Sequence, residues 1–292
     1  MERQEPYAVL AERLGGRLVS VEPLTGGVSA EAELLHLDLG GERRRVVART
    51  ASRFTEVGGR REELRRMGRL LAVLGDAGLP VGRPALVDPG SEEWLVLEYL
   101  DGTTDLPDPG VAMPELARLA LQVHATPVAR LVDLGLPLAV DPAREAREIL
   151  ARLLPEVDPD SVIEEPRSRD AAPVLLHGDL WPGNVLWSED RVVGLIDWED
   201  CAVGDPERDL ATARTELTLA LGPQEAAEFR RAYDAAAPHP VDQHRVDLWT
   251  VCSAGGMALH VGAWDLPHER EVRVRAVSRE VLHETLGRLA LR

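Results

Sequence analysis

Apolar positions recur with two different periods along this chain, and the change from one to the other divides it. A helical pattern at 7–14, with Val9, Leu10 and Leu14 on one side, stops at Gly15 and Gly16. Strand patterns follow at 18–24, in AELLHLDL and in RRRVVARTA, separated by turns at Gly26 with Gly27 and at Gly40 with Gly41. A charged segment over 60–75 returns to the helical period, with Leu64, Met67, Leu70, Leu71 and Leu74 on one face. The run WLVLEYL then has the β-forming composition of a buried strand and ends on the turn signal Asp101 and Gly102.

Beyond that turn the helical period dominates. A Pro- and Gly-rich linker, DLPDPGVAMP, precedes a predicted helix over 114–124 that carries Leu116, Leu119, Ala120 and Val123. A second amphipathic helix is predicted over 141–154, followed by a polar, acidic loop with a short helical turn. Further helices are predicted over 223–236, 241–261 and 267–289. The last has an apolar stripe through Val274, Val277, Val281, Leu282, Leu286 and Leu289 that suits a core. Gly255 and Gly256 inside the second of these point to close helix packing or a bend. Periodicity by itself predicts a protein that mixes α and β elements.

Size and charge narrow the function classes. At 292 residues and 45% hydrophobic content, the chain can build two lobes or one large domain with a full core. The 50 Asp and Glu against 33 Lys and Arg give a net charge of -17, which repels nucleic acid and anionic membrane surfaces. Such a charge attracts cationic substrates or simply keeps a surface solvated, and it names no substrate. Cys201 and Cys252 stand far apart, so neither a zinc site nor a disulfide framework is expected. The segment MERQEPYAVLAERLGG lacks a leader's apolar centre, and no stretch approaches the roughly 20 apolar residues of a membrane span, so a cytoplasmic protein is expected.

The chemistry concentrates at 174–197, VLLHGDLWPGNVLWSEDRVVGLID. Asp179 follows an apolar run, Asn184 lies five residues later, and a short hairpin pattern delivers Asp197. A carboxylate can orient a hydroxyl and take its proton, while an amide oxygen and a second carboxylate suit Mg²⁺ held against phosphates. Each alone would be an ordinary turn residue; together they read as a phosphoryl-transfer centre with Asp179 as catalyst and Asn184 and Asp197 as metal ligands. His177 and His124 read as structural groups, and Trp181, Trp187 and Trp198 as core, with Trp181 also placed to line an acceptor site.

HGDLWPGNVL followed by LIDWE resembles the aminoglycoside phosphotransferase and choline kinase-like superfamily, small-molecule kinases that share the protein-kinase architecture. The resemblance extends from Gly26 to Ala211 and includes GDP at 204–206 and DLA at 209–211. It implies an α+β, two-lobed protein kinase-like fold. The N-lobe, 1–99, would hold a five-stranded antiparallel sheet with helices, and the C-lobe, 100–292, would be mostly helical. By the same resemblance Gly26, Gly27 and Ser29 cover the nucleotide phosphates, and Arg49 stands where the commonest pattern has Lys. Glu63 (or Glu62) pairs with that cation, Glu98 C=O and Leu100 N–H meet the adenine edge, and Asp209 braces the catalytic loop. From the residues alone, Gly26 and Gly27 suit a hairpin turn, Arg49 equally suits an exposed edge strand, and Glu199 and Asp200 either contact an acceptor or sit in a solvated turn.

The implied activity is transfer of a phosphoryl group from ATP or GTP, with Mg²⁺, to a hydroxyl of a small molecule. The acceptor is either an antibiotic such as an aminoglycoside or macrolide, or a sugar or amino-alcohol metabolite. Only about a dozen residues separate Asp197 from Asp209 and no Ala-Pro-Glu motif follows, whereas protein kinases carry a longer segment there to dock peptide. A nucleotide-binding pseudokinase or regulatory module is the alternative that Arg49 permits. Nothing in the sequence sets the oligomeric state.

Overall fold

The computed structural model describes residues 5–24, 30–53, 55–56, 59–88, 94–166 and 172–291. It divides into two compact units, Met1–Gly102 with Val193–Glu199, and Thr103–Val192 with Asp200–Arg292.

In the first unit, α1 (Glu5–Arg13) leads into β1 (Arg17–Leu24), β2 (Ala32–Leu39) and β3 (Glu42–Thr50). Then come α2 (Arg60–Asp76), β4 (Pro84–Asp88) and β5 (Trp94–Glu98). The five strands form one antiparallel sheet in the order β1-β2-β3-β5-β4, as expected, so β3 is central. Alternation along the strands gives the sheet two apolar faces. Tyr7, Leu10 and Ala11 of α1 pack with Leu35, Leu37, Val46, Ala48, Trp94 and Val96, and the Tyr7 and Trp94 rings lie 5.1 Å apart. The apolar stripe of α2 is buried as its period requires, from Leu64 to Leu74.

The second unit begins with α3, which runs over Pro109–His124 and so starts five residues before the helix predicted at 114. Asp108 caps it by accepting from Gly110 N at 2.8 Å, and Pro109 fills the first helical position, where a missing N–H costs nothing. Pro114 therefore lies inside the helix rather than opening it. After β6 (Leu138–Ala139), α4 (Pro142–Leu153) is capped in the same way by Asp141. The chain continues through β7 (Val174–Leu176), the hairpin of β8 (Val185–Ser188) and β9 (Arg191–Leu195), and β10 (Ala202–Gly204). The remainder is helical: α5 (Pro206–Ala220), α6 (Pro223–Ala236), α7 (Gln243–His260) and α8 (His268–Leu289).

Strand β10 sits between β6, to which it is parallel, and β7, to which it is antiparallel. Helix α7 is buried on nearly all sides and forms the axis of this unit; Leu248, Val251 and Ala254 pack with Ala143, Ala146 and Leu150 of α4 and with Val281, Leu282 and Leu289 of α8. Its Gly255 lies directly against the Ile149 side chain, so the close packing anticipated from the glycine pair is real at Gly255. Among the described residues no helix is long and apolar enough to cross a membrane.

The contact at Gly255 leaves no room for a branched side chain. Gly255→Val is expected to lower unfolding stability by about 1–3 kcal/mol through overpacking against α4. Urea denaturation beside wild type measures it; equal midpoints would show that α4 can shift aside.

Candidate active site

The candidate residues fall in both units. In the second unit, β7 delivers the chain to His177, Gly178 and Asp179. Gly178 has φ of 88°, and any side chain there would collide with the Asp200 backbone, so the loop needs glycine twice over. Asp209, with no exposed surface, accepts the His177 N–H at Oδ2 and the Gly178 N–H at Oδ1, both at 2.9 Å. These two bonds fix the backbone just before Asp179, the bracing role implied for Asp209. His124, at the end of α3, bonds Asp209 Oδ2 at 3.0 Å with Nε2 and the Tyr233 hydroxyl at 2.8 Å with Nδ1. It is a packing and orienting group, as its place at a helix end suggested.

Asn184, at the end of a single 3-10 turn (Pro182–Asn184), is buried. Its Nδ2 donates to the Asp179 backbone oxygen at 2.9 Å and to Asp179 Oδ2 at 2.8 Å. Both partners are acceptors, so the amide must present its nitrogen to them and turn its carbonyl oxygen the other way. That oxygen is a hard donor suited to a magnesium ion. The Trp181 ring lies over Gly183 and is partly exposed, whereas Trp187 is core.

In the first unit, Asp197 follows β9 with φ of 65°, a left-handed conformation that Asp tolerates better than most side chains. Trp198 is 1% exposed and donates from Nε1 to the Leu195 carbonyl at 3.0 Å, which locks the turn that carries Asp197 and Glu199. Arg49 stands on the central strand β3, not an edge, and its side chain is 15% exposed. Its Nη2 donates to Asp197 Oδ1 at 3.1 Å and to Glu199 Oε2 at 2.9 Å. The helix glutamate does something else: Glu63 Oε1 accepts from the Ser52 backbone N–H at 2.9 Å, and Glu62 pairs with Arg69. Two carboxylates gathered on one cation form a donor set that fits a divalent metal ion in chemistry.

Glu98 closes β5 opposite Val46, and its N–H bonds the Arg83 carbonyl at 2.8 Å. The Leu100 carbonyl accepts from Gly102 N at 3.1 Å. Gly26, Gly27 and Ser29 lie outside the described residues.

One group escaped the sequence reading. Glu216 is on α5, seven residues after Asp209 and therefore on the same helix face, about two turns or 10 Å further along. Burial first, and the charge of Asp179 second, push its carboxyl up to about 8, against a lowering by Arg270. The spacing from Asp209 was the signal that could have found it. Asp209 itself behaves oppositely: burial raises its carboxyl, but the His124 bond and the charges of His124 and His177 outweigh burial and hold it below the ordinary 3.8.

Comparison with known proteins follows the same lines. The model of the phosphotransferase enzyme family matches residues 20–249. Viomycin phosphotransferase of Streptomyces vinaceus is 29% identical over 223 residues, 67% of this chain and 75% of that protein. A probable ketoamine kinase of Lactiplantibacillus plantarum is 38% identical over 77 residues, a quarter of each chain (26% and 25%). Among solved structures, the macrolide 2'-phosphotransferase of Brachybacterium faecium superimposes with a TM-score of 0.65 at 21% identity, covering 94% of this chain and 97% of that one. A spectinomycin phosphotransferase in complex with ADP and spectinomycin does so with a TM-score of 0.65 at 14% identity, covering 98% of each. At these identities the structures establish the kinase-like fold.

Two pH effects follow. Because the Asp209 carboxyl is lowered by folding, its contribution is present above 3.8 and is lost as pH falls through the lower folded value. Asp209→Asn is therefore expected to cost about 1.5–3 kcal/mol near neutrality, the range for hydrogen bonds to a charged group, with the gap to wild type narrowing below pH 3.8. Glu216 runs the other way: its contribution is complete below the ordinary 4.5 and is lost as pH rises through about 8. Glu216→Gln, which cannot ionise, should lose less melting temperature than wild type between roughly pH 5 and 9. Denaturation curves across pH test both, and parallel curves for variant and wild type would contradict the assignment.

Proposed function

The chain belongs to the phosphotransferase enzyme family, and from that premise we propose that it transfers the terminal phosphoryl group of ATP or GTP, with Mg²⁺, to a hydroxyl of a small molecule. The observation that carries the reading is Asp179, a carboxylate held by the Asn184 amide on a loop whose backbone is tied to the buried Asp209. In this reading Asp179 orients the acceptor hydroxyl and takes its proton as the phosphoryl group arrives. Asn184 and Asp197 supply oxygen ligands to Mg²⁺, which would neutralise charge on the phosphates. Arg49 grips phosphate, and Glu98 and Leu100 offer main-chain groups to the base. Gly26, Gly27 and Ser29 are assigned to the phosphates from the sequence pattern.

Two features favour a small acceptor. The segment from Asp197 to Asp209 is short, and most of it is already committed to the turn around Trp198 and to strand β10. The carboxyl of Glu216 also lies near enough to Asp179 to feel its charge, which suits an acceptor that carries an amine or other hydrogen-bond donor beside its hydroxyl. The named relatives act on antibiotics and, in one case, on ketoamines, so both an antibiotic and an amine-bearing metabolite belong in the substrate panel.

The test is phosphate transfer from labelled ATP or GTP to a panel of peptide antibiotics, aminoglycosides, macrolides, sugars and amino alcohols, with Mg²⁺ and with chelator. Transfer to at least one acceptor, abolished by chelator, is expected; absence of nucleotide binding in Mg²⁺ would end the proposal. Asp179→Ala is expected to keep nucleotide binding while transfer falls by about 10²-fold or more, the scale of general-base and positioning effects. Equal transfer by both proteins would remove Asp179 from the mechanism.

A further inference from the structure

Arg49 is held in a way that the family pattern does not anticipate. On the pattern with Lys at this strand position, the cation pairs with a glutamate of the following helix. Here Glu63, the residue placed for that role, bonds the Ser52 N–H with Oε1, while its Oε2 is buried with no hydrogen-bond partner among the described residues. The guanidinium instead meets the two carboxylates that flank Trp198 in the chain: Asp197 at 3.1 Å and Glu199 at 2.9 Å, both through Nη2.

These two carboxylates are not equivalent. Asp197 is the residue that a divalent ion would claim, and a carboxylate that turns to a metal weakens its bond to a cation of the same sign as that metal. Glu199 is the shorter contact, and its side chain is the less exposed, 23% against 33% for Asp197. Its position is fixed from the neighbouring residue, since Trp198 is buried and bonded to Leu195.

We propose that Glu199 is the positioning residue for Arg49, replacing the helix glutamate and holding the guanidinium for the nucleotide phosphates when Asp197 is engaged by metal. The inference rests on the phosphotransfer reading given above. It also accounts for arginine at this position. Nη2 serves both carboxylates, and the guanidinium keeps further N–H donors on Nε and Nη1. A lysine ammonium has its three donors on one atom. The strand contributes rigidity: β3 is central, paired on both sides at Arg49, with Ala32 on one neighbour and Leu95 on the other.

The experiment uses the full chain and a fluorescent ATP analogue, with affinity measured by titration in the presence and absence of Mg²⁺ and melting curves taken for every variant. Glu199→Gln is expected to weaken nucleotide binding about tenfold, the loss of one charge-assisted hydrogen bond, and Glu199→Asp to restore part of it. Glu63→Gln should cost less than Glu199→Gln. In the Arg49→Ala background, Glu199→Gln should add less than twofold, because its effect passes through Arg49. Without Mg²⁺ the loss in Glu199→Gln should shrink, since Asp197 then also holds the guanidinium.

A larger loss from Glu63→Gln than from Glu199→Gln would return the role to the helix. A Glu199→Gln loss undiminished in the Arg49→Ala background, or larger without Mg²⁺ than with it, would overturn the proposal. If Glu199→Gln fails to fold by its melting curve, the folded Glu199→Asp variant decides the same comparisons, with wild-type affinity counting against the anchor. Wild type that binds no nucleotide would instead remove the phosphotransfer reading itself, a different result from any of these.

Discussion

A buried carboxylate that accepts two consecutive backbone N–H groups is the constraint on which the second unit's chemistry depends. Asp209 has no access to water, and an isolated charge in that position would be prohibitively costly. It is tolerable because each oxygen is occupied, by His177 N and Gly178 N in the loop and by His124 from α3. The stabilisation is mutual. The loop's N–H groups, which β7 leaves unpaired where it ends, need acceptors as much as the carboxylate needs donors. The result is a loop held from beneath by a helix, with its next residue, Asp179, tied to Asn184 from the other side.

The position of Asp209 is itself set by a second buried charge four residues earlier. Asp205 stands at the N-cap position of α5, but instead of bonding the helix its Oδ2 is gripped by both Nε and Nη2 of Arg245, with the Trp249 indole N–H at 3.3 Å. Arg245 also reaches the Val140 carbonyl, and the Asp205 N–H bonds Ala139. These contacts join the first turn of α5 to the central helix α7 and to the strand β6. Asp209 therefore leaves a helix end that cannot swing, and an acidic group in that first turn also faces the favourable end of the helix dipole. The run from Gly204 to Ala211 is thus one mechanical part: the strand end, the cap, the helix start and the brace.

Much of this was legible because it is local. The order of strand and helix periods gave a mixed α and β protein, the resemblance to small-molecule kinases implied the five-stranded sheet and the helical remainder, and HGD, the Asn five residues later and GDPERDLA marked the loop and its brace in order. Local rules also misplaced one boundary, since Pro109 after Asp108 is the better helix start than Pro114. What could not be read was the choice among partners distant in the chain. Arg49 is 148 residues from Asp197 and 150 from Glu199, and the resemblance, which paired it with Glu63, does not specify these partners. His124 could be judged structural, yet its bonds to Asp209 and Tyr233 depend on how α3 meets α5 and α6. Glu216 looked like any helix-surface glutamate because its surroundings are supplied by tertiary packing.

Charge balance ties these observations to the chemistry. In the first unit one guanidinium, that of Arg49, faces two carboxylates, Asp197 and Glu199. In the second, burial first and the charge of Asp179 second raise the carboxyl of Glu216, so a negative charge there is unfavourable. Each arrangement is relieved by a cation, and the two differ in which kind they suit. Arg49 supplies a broad organic cation to the first pair, and in the proposed reading a divalent metal would share Asp197 without expelling the guanidinium. At Glu216 the deficit is smaller and partly met by proton uptake, so a neutral donor or an amine can satisfy it.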